Sequence, residues 1–328
     1  MRNVTIFASD NAMPSTLTGP LDVLGTAGMS WNMIAGKVPQ PLFRVALATI
    51  SGDPVRCFNG LSIPPTHRCE DINAADIVLI PSLAVGPTGV SLSPPAVDWL
   101  QKMHAGGAVM ASVCTGAFVL AAAGLLNGRR ATTHWAFQDY LRVNCPEAHV
   151  MADRILVDEG SVITSGGGSA WHDLVLYLIE RYAGREAAVD AAKMFLLDRH
   201  IDTQAPYALL CRPTPHRDAP IRAAQHWMEK NFDRADVVAG ALLESGLVER
   251  TFNRRFKQAT GSTPIVYVQC LRLEQAKRYL QSTADTIENI ALSVGYQNPG
   301  SFRRLFKRHV GILPADYRRM FGAPPVGR

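Results

Sequence analysis

The chain has 328 residues, more than one hydrophobic core usually serves, and 47% of them are hydrophobic, which is ample for globular folding. It contains no uncharged apolar run of about 18 residues, and its N-terminus lacks the apolar segment of a signal peptide, so we expect a soluble, cytoplasmic protein with no membrane partner. The net charge of +5 is divided unevenly, because residues 1–211 carry 14 basic and 18 acidic side chains, whereas residues 212–328 carry 19 and 10. A basic C-terminal third favours a polyanion-binding module.

The first part of the chain, up to about residue 183, alternates β-rich apolar runs with helical stretches. The predicted strands are 4–8, 43–49, 76–82, 108–114, 155–158 and 161–165. The predicted helices are 20–29, 95–106, 115–126 and 170–184, and a last helix over 185–200 closes this part. Strands that alternate with helices predict an α/β domain, with a parallel sheet covered by helices on both faces.

Cys114 stands where a predicted strand meets a predicted helix. Free amides and the partial positive charge of a helix N-terminus stabilise a thiolate over a thiol. The backbone N–H groups of Thr115 and Gly116 are expected to point at any oxyanion or carboxylate bound there. Three interpretations of Cys114 stay open: a residue of a ligand pocket, a catalytic or redox-sensing thiol, or inert packing. The six cysteines form no CxxC pair, so we expect reduced thiols, no cofactor and no structural metal.

The middle and end of the chain have a different pattern. Residues 201–220 contain four prolines and no periodicity, which predicts an extended, semi-rigid linker between domains. Residues 221–323 read as helices throughout, and 324–328 as a tail. The sequences of 250–267 and 300–317 match at an offset of 50 residues in seven positions. Such a repeat indicates one supersecondary unit used twice.

Each repeated unit is predicted to be a helix-turn-helix, whose second helix enters the major groove of DNA. The first helices are 237–245, capped by Asp236, and 286–294. Phe252, Phe256, Phe302 and Phe306 are predicted to lie in the core, which leaves the opposite helix faces for DNA. Arginine and asparagine match base edges and lysine neutralises phosphate. The predicted DNA-contacting residues are Arg250, Thr251, Asn253, Arg254, Lys257, Asn298, Ser301, Arg303, Arg304, Lys307 and Arg308.

A single long helix is predicted between the two units, over residues 264–283. Two reading helices in successive major grooves on one face of DNA need about 34 Å between them. The two units, the segment QAKRYL and the closing stretch VGYQNPGSFRRLFKRHVGILPADYRR resemble the DNA-binding domain of AraC/XylS-type regulators. The resemblance covers residues 221–323, about a third of the chain. It implies a transcriptional regulator, usually an activator, that binds a promoter operator and acts on RNA polymerase.

The first part of the chain resembles the DJ-1/PfpI superfamily, which has a flavodoxin-like, class I glutamine-amidotransferase-like fold. The motifs are GPLDVLG (19–25), SVCTGAFVLAAAGLL (112–126) and RRATTHW (129–135). The resemblance implies that Asp22 hydrogen-bonds the sulfur of Cys114 and that His134 lies close by. Peptidase-like members have a histidine directly after the cysteine, where this chain has Thr115, but the C-T-G corner is similar to that of isonitrile hydratases.

Trp135, Gly167 and Trp171 are further candidates for the pocket, although a tight turn at 166–169 and core packing are the plainer interpretations of the last two. Together the two resemblances point to the GlxA-type subgroup of AraC regulators, with a sensing domain over 1–200. They imply a homodimer and a small nitrogenous effector bound at Cys114. Two alternatives stay open: residual isonitrile hydratase or amidase activity at Cys114, and a thiol redox sensor.

Overall fold

The polypeptide folds as two units, residues 1–204 and 205–328, which we describe from a computed structural model. The structure describes residues 1–86, 89–198, 200, 202–211 and 215–323. The predicted tail 324–328, and residues 201 and 212–214 of the predicted linker, lie outside the described residues. None of the helices in the described ranges is long and apolar enough to cross a membrane.

The first unit alternates strands and helices as predicted. Its strands are β1 Arg2–Phe7, β2 Phe43–Thr49, β3 Val55–Arg56, β4 Ser62–Ile63, β5 His67–Arg68, β6 Ile77–Ile80, β7 Val109–Val113, β8 Arg130–Ala131, β9 His149–Val150, β10 Leu156–Asp158 and β11 Val162–Ser165. Its helices are α1 Ser15–Thr26, α2 Ser30–Ile34, α3 Pro94–Ala105, α4 Ala117–Ala122, α5 Gln138–Asn144, α6 Trp171–Ala183 and α7 Arg185–Phe195.

Seven of the strands form the central sheet, in the order β10-β11-β7-β6-β1-β2-β5. The central strands β6 and β7 are buried along their whole length, as expected for strands covered on both faces. All pairs in the sheet are parallel except β10 with β11. The prediction of a parallel sheet is confirmed with this one exception. Only three residues join β10 to β11, and a parallel pair needs a much longer crossover.

Three helices of the first unit begin or end at least four residues away from their predicted bounds. Helix α1 begins at Ser15 and contains Pro20, which was predicted to start it. Helix α4 is preceded by a 3-10 turn over Cys114–Gly116 and ends at Ala122, two residues before Gly124 adopts a φ of +73°. Helix α7 ends at Phe195 rather than at residue 200, because Leu196 is left-handed with a φ of +52°. A residue in that conformation cannot continue a right-handed helix.

The described part of the second unit is helical, as predicted. Its helices are α8 Ala219–Lys230, α9 Val237–Ser245, α10 Glu249–Thr260, α11 Pro264–Ser282, α12 Ile287–Ser293, α13 Pro299–Val310 and α14 Pro314–Phe321. Each of α10 and α13 ends at a left-handed glycine, Gly261 with a φ of +76° and Gly311 with a φ of +84°. Glycine carries no steric penalty there, so the matched glycines of the repeat are matched helix ends.

Two separate hydrophobic clusters hold this unit together, one for each half of the repeat. Phe252 and Phe256 belong to the first cluster, and Phe302 and Phe306 to the second. Each of these four rings is at most 1% exposed, which confirms the prediction that they form the core. Helix α11 contributes Val268 to the first cluster and Leu273, Ala276 and Leu280 to the second. The long helix is therefore the shared wall of both halves.

The predicted linker 201–220 is anchored at both of its ends, in contrast to the extended chain that was expected. Gln204 is 2% exposed within the first unit. Residues 205–207 form a 3-10 turn, and Leu210 packs against the second cluster of the helical unit. Helix α8 begins at Ala219, where the carboxylate of Asp218 accepts a hydrogen bond from the Ile221 amide. Prolines alone could not reveal these side-chain anchors.

Candidate functional site

The cysteine corner lies at the carboxyl end of the central strand β7. Cys114 has a φ of +55°, in the left-handed region that a residue with a side chain rarely adopts. Its side chain is buried, with 5% of the residue exposed. Helix α4 begins three residues later, so the sulfur lies near a helix N-terminus, as predicted. A strained residue at such a place requires the surrounding structure to hold it.

Thr115 and Gly116 supply that support. The Thr115 hydroxyl donates to the carbonyl oxygen of Leu83 at 2.6 Å and accepts from the Leu83 amide at 2.9 Å. A Cβ on Gly116 would lie 2.6 Å from the carbonyl oxygen of Pro81, so only glycine fits between the corner and the end of β6. Both residues join the corner to the segment that follows β6, a role for the Thr115 side chain that the sequence did not reveal.

Asp22 does not hydrogen-bond the Cys114 sulfur, so this implication of the sequence resemblance is corrected. Asp22 is exposed on α1, whose buried residues include Thr16. The Thr16 hydroxyl accepts a hydrogen bond from the Ser82 amide at 3.0 Å, and Ser82 in turn bonds the Thr115 hydroxyl at 2.9 Å. Six residues separate Thr16 from Asp22, and at 3.6 residues per turn they cannot share a helix face. Helix α1 therefore reaches the corner through a hydroxyl.

The loop after β8 brings His134 and Gly167 together beside the corner. The Thr133 hydroxyl donates to the Cys114 carbonyl oxygen at 2.9 Å. A Cβ on Gly167 would lie 2.3 Å from Cδ2 of His134, so the imidazole packs directly on the Gly167 backbone. Nδ1 of His134 accepts a hydrogen bond from the Ala136 amide at 3.0 Å, which leaves the proton of a neutral ring on Nε2.

The two predicted tryptophans are only partly buried. The ring centroids of His134 and Trp135 are 5.2 Å apart. Trp171 packs against Gly19 of α1, where a Cβ would lie 2.6 Å from the indole. The structure thus ties His134 to Trp135 and Gly167, and Trp171 to α1.

Gln204 is a residue of this region that the sequence did not predict. Its carbonyl oxygen accepts from the amides of Trp135 at 3.1 Å and Gly167 at 3.3 Å. Its amide nitrogen lies within 3.2 Å of four oxygens, including the Thr133 carbonyl at 2.7 Å. Gln204 therefore fixes two segments together: the loop 132–137 that carries His134, here the histidine loop, and the turn 166–169 that contains Gly167, here the glycine turn. A glutamine in a proline-rich stretch gives no sequence signal for such a role.

A cavity of about 950 Å³ opens at the carboxyl ends of β1 and β2. Ligands of open α/β sheets bind at the carboxyl ends of the strands. Cys114 does not line this cavity, but Leu83, which Thr115 holds, does. Three charged residues, Asp10, Asp53 and Arg56, lie on its wall, so its charged lining is predominantly acidic.

The second unit presents two helix pairs, α9 with α10 and α12 with α13. All predicted DNA-contacting side chains are exposed except Thr251, which is half-buried. Gln258, which was not predicted, is exposed one turn after Arg254, at the repeat position of Arg308. Both outward faces are polar and basic, with the phenylalanines on the opposite side.

Some of these polar groups already have partners within the unit. Asn298 caps α13, because its side-chain oxygen accepts from the Ser301 amide at 3.0 Å. Arg303 pairs with Glu288 on the preceding helix, and Arg304 donates to the Ser301 hydroxyl at 3.1 Å. Asp236 does not cap α9, since its carboxylate binds Arg234 at 2.8 Å instead. That prediction was wrong because a nearby guanidinium competes for the carboxylate.

One group of side chains in the described part of the chain has a donor set suited to a metal ion. It consists of His172, Asp173 and His200, whose ligand atoms all lie within 4.8 Å of one another. The group lies at the start of α6, a few residues after the glycine turn.

Comparison with known proteins gives two family matches. The model of the DJ-1/PfpI family matches residues 2–181, and that of a helix-turn-helix domain matches residues 244–320. A solved structure of a ThiJ/PfpI family protein from Pseudomonas syringae aligns with 75% of this chain and 91% of its own, at 22% identity and a TM-score of 0.53. That likeness supports the fold.

Three curated relatives differ in how much of the chain they match. The HTH-type transcriptional regulator CdhR of Pseudomonas aeruginosa is 28% identical over 87% of this chain and 84% of its own. GlxA of Rhizobium meliloti, also named an HTH-type transcriptional regulator, is 28% identical over 89% of each chain. The isonitrile hydratase of Pseudomonas putida is 34% identical over 58% of this chain and 75% of its own.

Proposed function

The chain belongs to the DJ-1/PfpI family and carries a C-terminal AraC-type helix-turn-helix domain, and we propose that it is a transcriptional regulator that binds promoter DNA in response to a small molecule. Both resemblances drawn from the sequence are confirmed by the family matches. The relatives that match it over most of its length are named HTH-type transcriptional regulators. The regulator acts in the cytoplasm, where the chromosome is.

DNA binding rests on one observation, the repetition of an exposed basic face on α10 and α13. Arg254 and Lys257 on α10 correspond to Arg304 and Lys307 on α13, and all four are exposed. The phenylalanines of each helix lie on its other side, in the core. Helix α11, which has 19 residues and is therefore roughly 28 Å long, runs through both cores. A helix of that length suits two reading helices held about one DNA turn apart.

The DNA assignment is tested with genomic fragments that the purified chain selects. A good bidentate base contact contributes about 1–3 kcal/mol. The double variant Arg254→Ala/Arg304→Ala is therefore expected to bind the selected fragment at least roughly thirty-fold more weakly. Arg319→Ala is the matched control, because Arg319 is exposed on α14 and pairs with Asp316. Wild-type affinity in the double variant would overturn the assignment of the two helices.

The first unit supplies the ligand site in this proposal. The cavity that Leu83 lines, to which Thr115 of the Cys114 corner is hydrogen-bonded, has two carboxylates against one guanidinium. An acidic wall favours a cationic or hydrogen-bond-donating nitrogenous metabolite. A ligand can shift DNA binding only if its affinity differs between two arrangements of the protein.

Coupling to the DNA-binding unit begins at Gln204 in this proposal. Gln204 binds the histidine loop and the glycine turn, and the next residue, Ala205, starts the helical unit. In that unit, Lys277 donates to the Ala208 carbonyl at 2.6 Å, and Glu274 accepts from the Leu210 amide at 2.5 Å. Both side chains belong to α11, the helix shared by the two reading units. A ligand that moves the histidine loop therefore also moves the segment after Gln204, which is hydrogen-bonded to α11.

The ligand site is tested by thermal denaturation against amino acids, betaines, polyamines and small amides. A ligand at 100 times its dissociation constant should stabilise the folded protein by about 2.7 kcal/mol. Cys114→Ala is expected to weaken or abolish that stabilisation. Cys145→Ala is the matched control, because Cys145 is equally buried at 5% exposure. A stabilisation that is the same in both variants would place the ligand elsewhere.

Residual catalysis at Cys114 is the second candidate function, favoured by the strained corner and the 34% identity to an isonitrile hydratase. Turnover of an isonitrile or amide that is abolished by Cys114→Ser would establish it. A redox sensor is the remaining alternative, and its DNA affinity would follow oxidant and reverse with reductant. A chain without turnover and without that redox response is a ligand sensor alone.

The active assembly in this proposal is a homodimer that activates transcription through RNA polymerase. A symmetric dimer would place four reading helices on one operator. Light scattering of the purified chain with and without operator DNA is expected to give the mass of two chains, and a monomer in both conditions would contradict it.

A further inference from the structure

Three ligating side chains meet at the start of α6. His172 and Asp173 are the second and third residues of that helix, and His200 approaches from 27 residues further along the chain. The sequence predicted no metal site, because this spacing matches no common ligand motif. The fold creates the group by returning the chain after α7 to the start of α6.

Asp173 is oriented toward both imidazoles. Its Oδ1 accepts a hydrogen bond from the His200 backbone amide at 2.9 Å, which fixes the plane of the carboxylate. Its Oδ2 lies 2.5 Å from Nδ1 of His200 and 3.8 Å from Nδ1 of His172. Asp173 is 8% exposed, so one buried oxygen faces two ring nitrogens.

Nδ1 of His172 is buried without a hydrogen-bond partner among the described residues. The side chain of His172 is 13% exposed. Buried nitrogens are seldom left unsatisfied in folded proteins, and a bound ion can satisfy such a nitrogen. The rings of His172 and His200 are stacked with centroids 4.7 Å apart, so one imidazole must turn about its Cβ–Cγ bond for both Nδ1 lone pairs to face one ion.

We propose that His172, Asp173 and His200 bind one Zn²⁺ ion through Nδ1, Oδ2 and Nδ1, with water in the fourth position. Two imidazoles and a carboxylate are a donor set that zinc takes in proteins. Zinc bonds of about 2.0–2.1 Å in a tetrahedron place donor atoms roughly 3.3 Å apart. The observed 2.5 and 3.8 Å each differ from that spacing by less than 1 Å. Zn²⁺ replaces the proton between His200 and Asp173, which is released to water.

Zinc at this position fixes the chain that leads to Gln204. His200 lies four residues before Gln204, and Asp173 lies six residues after Gly167, which Gln204 binds. The ion therefore ties the start of α6 to the approach to Gln204, on the chain that continues into the helical unit. Binding of the ion itself does not depend on any role of Cys114 or of DNA.

The site is tested by calorimetric titration of the reduced full-length chain with Zn²⁺. Wild type is expected to bind one ion, and His172→Ala and His200→Ala should each bind it more than about tenfold more weakly. Two controls are expected to match wild type: His149→Ala, whose imidazole is exposed on β9, and Cys114→Ala, which removes the corner thiol. Circular dichroism shows whether each variant is folded.

Failure of the folded wild-type chain to bind Zn²⁺ would overturn the proposal without any variant. Binding that His172→Ala and His200→Ala both retain would also overturn it. Loss of binding in Cys114→Ala alone would assign the ion to the cysteine corner instead. None of these outcomes depends on whether the chain regulates transcription.

Discussion

At the scale of single residues, Thr115 shows how the cysteine corner is held. Its hydroxyl makes both hydrogen bonds to the Leu83 backbone and a third to Ser82. Thr115→Val keeps the shape and removes all three, which leaves buried backbone groups unpaired. We expect a loss of about 1–3 kcal/mol in the free energy of unfolding. Denaturant titration measures it, and Thr115→Ser, which keeps the hydroxyl, should lose much less; equal losses would contradict this role.

The corner also shows how far sequence reasoning reaches at this scale. The position of Cys114 between a buried strand and a helix was predictable from the residue pattern. The contact of α1 with the corner segment through Thr16, rather than through Asp22, was not predictable, because a motif match gives no helix phase. Gln204 could not be predicted either, since its partners come from three segments more than 30 residues away in sequence.

Asp218 gives a pH-dependent prediction at the same scale. It caps α8 and makes two hydrogen bonds with the guanidinium of Arg255, at 2.7 and 2.9 Å. Those bonds lower the pKa of Asp218 below its ordinary value of 3.8. Because the pKa of Asp218 is lower in the folded state, its pair with Arg255 stabilises the fold fully above the ordinary pKa of 3.8. This stabilisation is lost as pH falls through the folded-state pKa.

Asp218→Asn keeps a good cap and removes the charge, whereas Asp218→Ala removes both. At pH 7 we expect Asp218→Asn to cost up to about 1 kcal/mol and Asp218→Ala about 1 kcal/mol more. The cost of Asp218→Asn should shrink as pH falls below about 4. Urea unfolding at a series of pH values measures this, and a cost that grows on acidification would reverse the predicted sign.

At the scale of elements, helices α8 and α9 touch through Gly240. A Cβ at that position would lie 2.5 Å from Nε1 of Trp227. In an open helix position, glycine to alanine stabilises by about 1 kcal/mol. Here Gly240→Ala forces the indole away, and we expect a destabilisation of about 1–3 kcal/mol. Thermal unfolding measures this change, and we expect Gly240→Ala to lower the midpoint. A higher midpoint would contradict the close contact between α8 and α9.

Most elements were predictable from the sequence. In the first unit, β-rich apolar runs alternate with helical stretches, and in the second unit the helix-turn-helix sequence occurs twice. Strand 43–49 and the start of α11 at Pro264 were predicted to the residue. The ends of helices were harder to predict: α4 and α7 end close to residues with a left-handed backbone, Gly124 and Leu196. A leucine in that conformation has no signature in the sequence. Leu196 is 91% exposed, and the helix ends locally, where the Leu197 amide donates back to the Ala192 carbonyl oxygen at 2.9 Å.

At the scale of the whole molecule, Gln204 links effector binding to DNA binding in the proposed function. Gln204→Leu leaves the amides of Trp135 and Gly167 without their acceptor. We expect such a variant to bind the effector and to bind DNA, but to lose most of the effector's influence on DNA affinity, which in regulators is typically 5–150-fold. Anisotropy titrations of labelled operator with and without effector measure that factor. An unchanged factor would remove Gln204 from the coupling.

If the two reading helices of one chain bind successive major grooves, a hydroxyl-radical footprint on the selected genomic fragment will show it. We expect two protected patches on one face of the DNA, about 34 Å apart for each chain bound. Arg254→Ala should weaken one patch and Arg304→Ala the other. A single patch per chain, or protection that both variants leave unchanged, would contradict this arrangement.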